Sequence, residues 1–533
     1  MSSSAPELRR RASVVHPLKL AALLAGFAFL ACYFRAFLFP DIALARWGDQ
    51  VGFFNDGARI VAGELPFRDY LQLVPPGTDL YYAAMIKLFG VRIWIPNLTM
   101  AVLAAATAFL MTSIASRILR GVSAALPALG FVGIGLLNSF DATHHWFSTM
   151  AILGAVLCLL DANSVRRIAA AGALCGGAGC FTQTKGALAA LALAAFLAWG
   201  KSAAPPSQQR RRDAALLLGA AAAVFAGFNA YFIWAAGLRP WSYCLVIHPF
   251  RYYPVIPINN WRVLLVDYGY HRGMTAWISF PFLYVSIPLT YLATFFVLRK
   301  KAADTPAAES AADSKAERER VLLVMVAGLA MLAAIAFSPS IKRLSTVSPA
   351  VMILLVWLLD RALRISSRLK LAIAAALTVL IVMMPLSVQL RRHAKVLTLP
   401  SGRCAVDSPA LYEEYVWLLE NTRPGEYSFG MPPFYYTFHL RNPAPMEGIE
   451  TTDYTRPEHV AALVRGLEEH QVPLLVLRLP EIYQRPTGLA SDHLGPFRSY
   501  LKNHYRLARI FDTGDEVWLR TGEASGARPE KVE

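Results

Sequence analysis

The sequence predicts an α-helical polytopic membrane protein of about 11 spans, followed by a small α/β domain. Three observations lead there. Of the 533 residues, 56% are apolar and 17% charged, against about 45–50% and about 25% in soluble domains. The apolar residues gather in runs longer than a globular core helix needs, and the mean hydropathy is positive. After residue 390 the composition changes to that of a soluble chain.

The spans read as roughly 17–38, 98–116, 121–139, 146–161, 167–181, 185–200, 214–236, 276–298, 321–338, 346–360 and 369–388. Basic residues at 9–11, Arg117 with Arg120, Arg166 with Arg167, and those at 210–212, 299–301 and 361–370 fall on one side if each span is counted. That side is the cytoplasm by the positive-inside rule. Residues 167–200 must then cross twice as two short helices, with FTQTKG (181–186) as an outer turn. The basic N-terminus precedes an apolar run too long for a signal-peptide core and lacking an A-x-A site, which predicts an uncleaved first span. The linker 299–320 reads as solvated, with nothing apolar to bury.

The far-side segments carry most of the polar groups. The first, 39–97, is long and predicts interfacial helices near 50–63 and 78–89. NSFDATHHW (138–146) is short, 237–275 is rich in aromatics (Trp241, Tyr243, Phe250, Tyr252, Tyr253, Trp261, Tyr268, Tyr270), and SPSIKRLSTVSP (338–349) is basic. In 391–533, amphipathic helices are expected at 407–421 and 456–470, a strand at 473–479, and two short strands around the TGDE turn near the end.

Composition excludes several classes. The net charge of +16 sits in short clusters between apolar runs, as in cytoplasmic loops rather than a nucleic-acid face, so no nucleic acid is expected as partner. The cysteines at 32, 158, 175, 180, 244 and 404 show neither metal spacing nor a disulfide framework. There is no Walker loop, dinucleotide fingerprint, H-E-x-x-H or nucleophile elbow. No internal repeat marks a transporter, and ionisable residues are scarce inside the spans.

One stretch goes further. WGDQVGFFNDGARIVAGELPFRDYLQLVPPGTDLYY (47–82) places an Asp just after span one, then a helix with a Gly near its end, a Pro–aromatic–Arg–Asp run and Pro-Pro-Gly. Asp49, Gly63, Pro66, Phe67, Arg68, Asp69, Pro75, Pro76 and Gly77 resemble the first outer loop of GT-C glycosyltransferases. The nearest group is that of the bacterial protein O-mannosyltransferases and the lipid A aminoarabinose transferase (glycosyltransferase family 39-like). The resemblance covers 40–200 best. It implies an inverting transfer of a sugar from a polyprenyl-phosphate donor to an acceptor hydroxyl, on the outer face of a bacterial cytoplasmic membrane, without cofactor. The acceptor is left open between lipid, glycan and protein, with membrane lipids as surroundings.

Such a reaction needs a carboxylate to take the acceptor proton and cations for the leaving phosphate. Asp49 is the expected base, with Asp56 the alternative; capping of the first loop helix would suit Asp49 equally. Asp69 is expected to pair with Arg68 or Arg59 and shape the loop, with a smaller claim to a direct role, and the Pro-Pro-Gly to fix the turn into the 78–89 helix. Glu64 and Asp79 read as solvated. Lys342 and Arg343 are the expected phosphate ligands, or else interfacial anchors, and Lys185 in the FTQTKG turn is the second choice. Asp141, His144 and His145 are candidates for substrate contact or for ordinary helix capping. A metal on these three is disfavoured, because adjacent histidines on a helix point in different directions. His248, Arg251, Tyr252 and Tyr253 could hold carrier or acceptor, or form an aromatic belt. The rival functions are a transporter or flippase of lipid-linked sugars, and a polysaccharide ligase or polymerase. The latter class uses a large late loop, whereas here the longest loop is the first.

Overall fold

The computed structural model describes residues 16–46, 48–136, 140–160, 164–199, 206–253, 281–299, 308–361, 364–390, 394–478, 488 and 490–522. The basic residues at 9–11, residues 276–280 of one expected span, and Trp261, Tyr268 and Tyr270 lie outside them.

Helices α1 (Pro17–Ala36), α4 (Trp94–Ala115), α9 (Ser207–Ala236), α14 (Ile341–Arg361) and α15 (Ser367–Gln389) are long and apolar enough to cross a membrane. Between them run α5 (Leu126–Gly130) with its continuation to Leu136, α6 (His144–Leu160), α7 (Val165–Phe181), α8 (Gln183–Trp199), the short α10 (Leu238–Ser242) and α11 (His248–Arg251), α12 (Ile287–Arg299) and α13 (Ala308–Ile335). Each expected span therefore coincides with a helical segment among the described residues. In a bilayer an apolar run leaves the backbone no partner but itself, so helix is favoured even past Pro349 in α14 and Pro385 in α15.

Two expectations fail. The linker 299–320 is not solvated throughout, because α13 starts at Ala308; its run of Ala, Glu, Lys and Arg favours helix and continues into the span. FTQTKG is not a turn throughout either: the reversal is confined to Thr182. Only Thr182 separates α7 from α8, and residues 183–186 are already helical. Small residues make that approach possible. A Cβ on Gly186 would land on the backbone of Gly179, and one on Gly172 or Gly176 would meet carbonyls of Leu217 or Ala221 in α9. Close backbone contact of this kind drives helix association in lipid, where no hydrophobic force separates helix from solvent.

The first long loop holds β1 (Phe37–Leu38), β2 (Ile42–Leu44), α2 (Asp49–Val61) and α3 (Gly77–Phe89), the last two close to the expected bounds. After α15 come β3 (Lys395–Leu399) and β4 (Gly402–Val406), which the sequence reading missed. They form an antiparallel hairpin, and β4 pairs in parallel with β2, in the order β1-β2-β4-β3. One sheet thus joins the first loop to a segment more than 350 residues later. Gln389 at the end of α15 locks the same junction. Its amide donates to the carbonyls of Phe34 at 2.7 Å and Phe37 at 2.6 Å, and its oxygen accepts from Phe39 N–H at 3.0 Å.

The rest of the chain builds a second sheet, β5 (Ser428–Phe429), β6 (Leu474–Arg478), β7 (Tyr505–Ile510) and β8 (Asp515–Arg520), in the order β5-β6-β8-β7. Around it lie α16 (Pro409–Asn421), α17 (Pro432–Phe438), α18 (Pro457–Glu469) and α19 (Gly495–His504). The amphipathic α16 and α18, strand β6 and the final hairpin follow the sequence expectation, while β5, α17 and α19 were not foreseen. Val460, Leu463 and Leu467 of α18 bury against Leu475, Leu477 and Phe497, each worth about 1.5–3 kcal/mol of transfer free energy.

The tight α7–α8 hairpin is testable. Gly186→Leu must push the two helices apart and should destabilise the protein by about 1–3 kcal/mol. A lower melting temperature in detergent, measured beside Gly177→Leu, where a Cβ meets open space, checks it.

Candidate functional site

At the end of the bundle where α1 leaves and α14 begins, a cavity of about 720 Å³ opens. Its walls come from α2, from residues 71–74, from the starts of α6 and α8, from the α13–α14 turn, and from 430–432 and 446–454. Asp49, Lys342 and Arg343 all line it.

Asp49 opens α2. The residue before it, Gly48, has no side chain with which to cap the helix. The cap comes from elsewhere: the carboxylate of Asp141 accepts the N–H groups of Asp49 and Gln50, both at 2.9 Å. It also takes the ammonium of Lys342 at 2.8 Å. Only glycine fits at 48, because φ is +139° and a Cβ would sit 2.5 Å from an Asp141 oxygen. With its side chain 4% exposed, Asp141 is the buried joint of three elements, not a free substrate ligand. Burial and the nearby Asp49 push its carboxyl up, while Lys342 and the Gln50 N–H pull it down. Asp49 itself keeps 55% of its side chain exposed and lies 3.9 Å from Lys342 Nζ.

Arg343 donates through Nη1 to the Ser338 carbonyl and, at 2.5 Å, to its hydroxyl. Through Nη2 it reaches Tyr253 Oη at 2.7 Å. Both cations are therefore held at the cavity wall by α14.

Lys185, expected on an exposed turn, is buried in the first turn of α8. Its Nζ donates to His145 O at 3.2 Å, Thr149 Oγ1 at 3.1 Å and Thr346 Oγ1 at 2.9 Å. It ties α8 to α6 and α14 and does not line the cavity. His144 and His145 do line it. Their rings do not diverge: the centroids lie 3.9 Å apart, at the frayed start of α6 where two neighbours can turn the same way. His144 Nδ1 pairs with Thr182 Oγ1 at 2.8 Å. His145, 6% exposed, has neither ring nitrogen partnered among the described residues. No group of three His, Cys, Asp or Glu among the described residues is placed to hold a metal ion.

The remaining first-loop acids divide. Asp69 forms an ion pair with Arg68 at 2.7 Å and accepts the Leu65 N–H at 2.7 Å, so it shapes the turn, outside the cavity. The Arg68 guanidinium holds its carboxyl below the usual range. Glu64 is not simply solvated, since Arg59 binds it at 2.6 Å. Asp79, expected at the surface, is completely buried. Gln72 bridges it to Asp56, donating at 2.6 Å to Asp79 and 3.0 Å to Asp56. Burial pushes the Asp79 carboxyl up to about 8, and burial with Glu447 and Asp79 nearby pushes Asp56 well up. Pro-Pro-Gly does turn the chain into α3. Gly77 is required because a Cβ there would sit 2.5 Å from the Cys180 carbonyl.

Arg251 and Tyr252 lie outside the cavity. The Tyr252 ring faces the Arg456 guanidinium at 4.5 Å, and His248 Nε2 meets the Tyr454 carbonyl at 3.0 Å, clasping 248–252 to the start of α18. Sequence reasoning missed Glu447, Glu450 and Tyr454, which line the opposite wall. PMEGIE carries no motif; only the fold brings it here. Leu71 N–H donates to Pro445 O at 2.7 Å, and Asn55 Nδ2 donates to Pro432 O at 2.9 Å and Glu447 Oε1 at 3.1 Å.

Among solved structures, the chain is similar to ArnT from Cupriavidus metallidurans bound to undecaprenyl phosphate. The TM-score is 0.55 at 14% identity, covering 96% of this chain and 98% of that one. It is also similar to the archaeal oligosaccharyltransferase AglB from Archaeoglobus fulgidus in complex with an inhibitory peptide and a dolichol-phosphate. There the TM-score is 0.50 at 13% identity, over 94% of this chain and 74% of that one. At such identity the likeness is one of fold alone, the fold shared with these two structures. No family model and no curated protein matches the chain in sequence.

The buried acids make stability depend on pH. With Asp79 raised to about 8 in the folded chain and near 3.9 unfolded, the folded state holds a proton that the unfolded state releases. Stability is then greatest at low pH and falls as pH rises between those values. Asp79→Asn keeps the hydrogen-bonding shape and removes the titration. Its melting temperature should vary less than the wild type's from about pH 5 to about pH 8; equal slopes would contradict the assignment.

Proposed function

We propose that this GT-C-fold membrane protein is a glycosyltransferase that takes a sugar from a polyprenyl-phosphate carrier and places it on an acceptor hydroxyl. The observation that carries the reading is the meeting of an exposed carboxylate, Asp49, with Lys342 and Arg343 in one cavity at the end of the helix bundle. The acceptor oxygen bonds to the anomeric carbon as the carbon–oxygen bond to phosphate breaks, which inverts the centre. Asp49 takes the acceptor proton. Lys342 and Arg343 stabilise the departing lipid phosphate. Every proton and charge in this scheme is carried by the chain's own side chains, so it invokes no cofactor.

Accessibility favours Asp49 over the other acids. A base must reach the acceptor and be ionised. Asp56 is buried, shares Gln72 with Asp79 and is held towards its acid form, and Asp69 is tied to Arg68 away from the cavity. The basic clusters between apolar runs support a cytoplasmic N-terminus, which with eleven spans would set the cavity and the C-terminal α/β domain on the outer face of a bacterial cytoplasmic membrane. That is where a polyprenyl-phosphate sugar would meet its acceptor.

Purified protein in lipid nanodiscs, given radiolabelled polyprenyl-phosphate sugar and membrane extract as acceptor, should transfer label. Asp49→Asn should lower kcat by about 10²–10⁴-fold with an unchanged melting temperature, and Arg343→Ala should raise the donor KM. Full turnover in Asp49→Asn removes it as the base. Movement of intact lipid-linked sugar across vesicles, with no bond cleaved, would support a flippase instead.

A further inference from the structure

The cavity has two electrical sides. Both cations that line it stand on the first turn of α14. The opposite wall is acidic and continues away from them along α2. Asp49, Gly52 and Asp56 lie on one stripe of that helix, at spacings of three and four residues. Glu447 enters this stripe from the C-terminal part of the chain. Its Oε2 rests where a side chain at position 52 would be, 2.5 Å from the place of a Cβ on Gly52. Its Oε1 accepts from Asn55 Nδ2 at 3.1 Å, and the oxygen of that amide, buried, has no partner among the described residues. The result is a row of carboxyls, Asp49, Glu447 and Asp56, close enough for the charge of each to raise the next. Phe53 of the same helix adds an apolar surface to that wall.

Resting on the function proposed above, we infer that Glu447 is a specificity-determining residue and that the acceptor is an uncharged glycan, bound through several hydroxyls along the Asp49–Glu447–Asp56 wall. The geometry of the transfer places the acceptor there. The phosphate belongs with the cations, and in an inverting displacement the attacking oxygen arrives opposite the phosphate, on the side of the base. Beyond Asp49, one helical turn along α2 (about 5.4 Å), the next group met is Glu447. Carboxyls spaced in this way accept hydrogen bonds from neighbouring hydroxyls of a sugar, and Phe53 suits its C–H face. An acceptor bearing phosphate or carboxylate meets the exposed Asp49 carboxylate, and the cations nearest this wall, Lys342 and Arg59, are already bound by Asp141 and Glu64. A polypeptide offers one hydroxyl per serine or threonine, too few for the row. In the step itself the glycan oxygen gains the bond to the anomeric carbon, the electron pair of the broken bond leaves on the lipid phosphate, and the glycan proton passes to Asp49.

The test uses the full-length protein in nanodiscs, radiolabelled polyprenyl-phosphate sugar as donor, and a printed array of neutral, phosphorylated and carboxylated glycans together with serine- and threonine-rich peptides. Label should appear on neutral glycans only. On the best of these, Glu447→Gln should raise the acceptor KM about tenfold, the equivalent of about 1.4 kcal/mol, and leave the donor KM unchanged. Gly52→Ala, whose methyl displaces the Glu447 carboxyl while leaving every polar group present, should do the same; a shared melting temperature shows that both variants fold. Preference for phosphorylated or carboxylated glycans, for peptides, or for lipid in the nanodisc overturns the inference while leaving the transferase reading intact. So does an effect of Glu447→Gln on the donor KM alone. A wild type that never cleaves the donor overturns both.

Discussion

The site depends on one buried carboxylate. Asp141 lies in the short segment before α6, yet its oxygens cap the amino end of α2 and bind the ammonium at the start of α14. A helix start needs acceptors for its unpaired N–H groups, and a buried carboxylate needs donors; each requirement is met by the other. Removing either side would leave a charge or a peptide dipole stranded in low dielectric. That mutual requirement sets Asp49 and Lys342 within 4 Å of each other on elements nearly 300 residues apart in sequence. Gly48 is part of the same device, since any side chain there would occupy the carboxylate's place.

Around this joint the polar groups are sorted by burial. Asp49, the carboxyl with water access, shares Lys342 with the buried Asp141. Those without access, Asp56 and Asp79, share a glutamine amide and lean towards their acid forms. Burying two ionised carboxylates side by side would be prohibitive; one or both held protonated, with Gln72 donating, is tolerable. Lys185 is likewise buried with partners, its Nζ set among three oxygens from α6 and α14.

The cavity also needs both ends of the chain. The β2–β4 pairing and the Gln389 clamp bring the C-terminal segments against the first loop, and Asn55 and Leu71 then hold 432 and 445–447 at the wall. Gly430 lets this approach happen, with φ at +135° and the Val476 backbone where a Cβ would be. What looks in sequence like a membrane part and a soluble part is, at the cavity, one structure.

Periodicity and local chemistry carried much of this in the sequence. Apolar runs show where helices lie, because a bilayer permits nothing else, and amphipathic stripes show α2, α16 and α18. An acid following span one, and a Lys–Arg pair before a Pro-containing span, were enough to single out Asp49, Lys342 and Arg343. Partners were not legible. Asp79 and Asp69 look alike in sequence, yet one is buried beside Gln72 and the other is paired at the surface. Lys185 reads as a turn residue until Gly179 and Gly186 are seen to touch. Glu447 has no signal at all, because its neighbours Gly52 and Asn55 are almost 400 residues away. The sequence by itself determined which segments form apolar helices and which residue types could do chemistry at their ends, since both follow from local composition. Tertiary structure decided which carboxyls are free, which are held protonated and which serve as caps, because burial and hydrogen-bond partners are properties of contacts between distant parts of the chain.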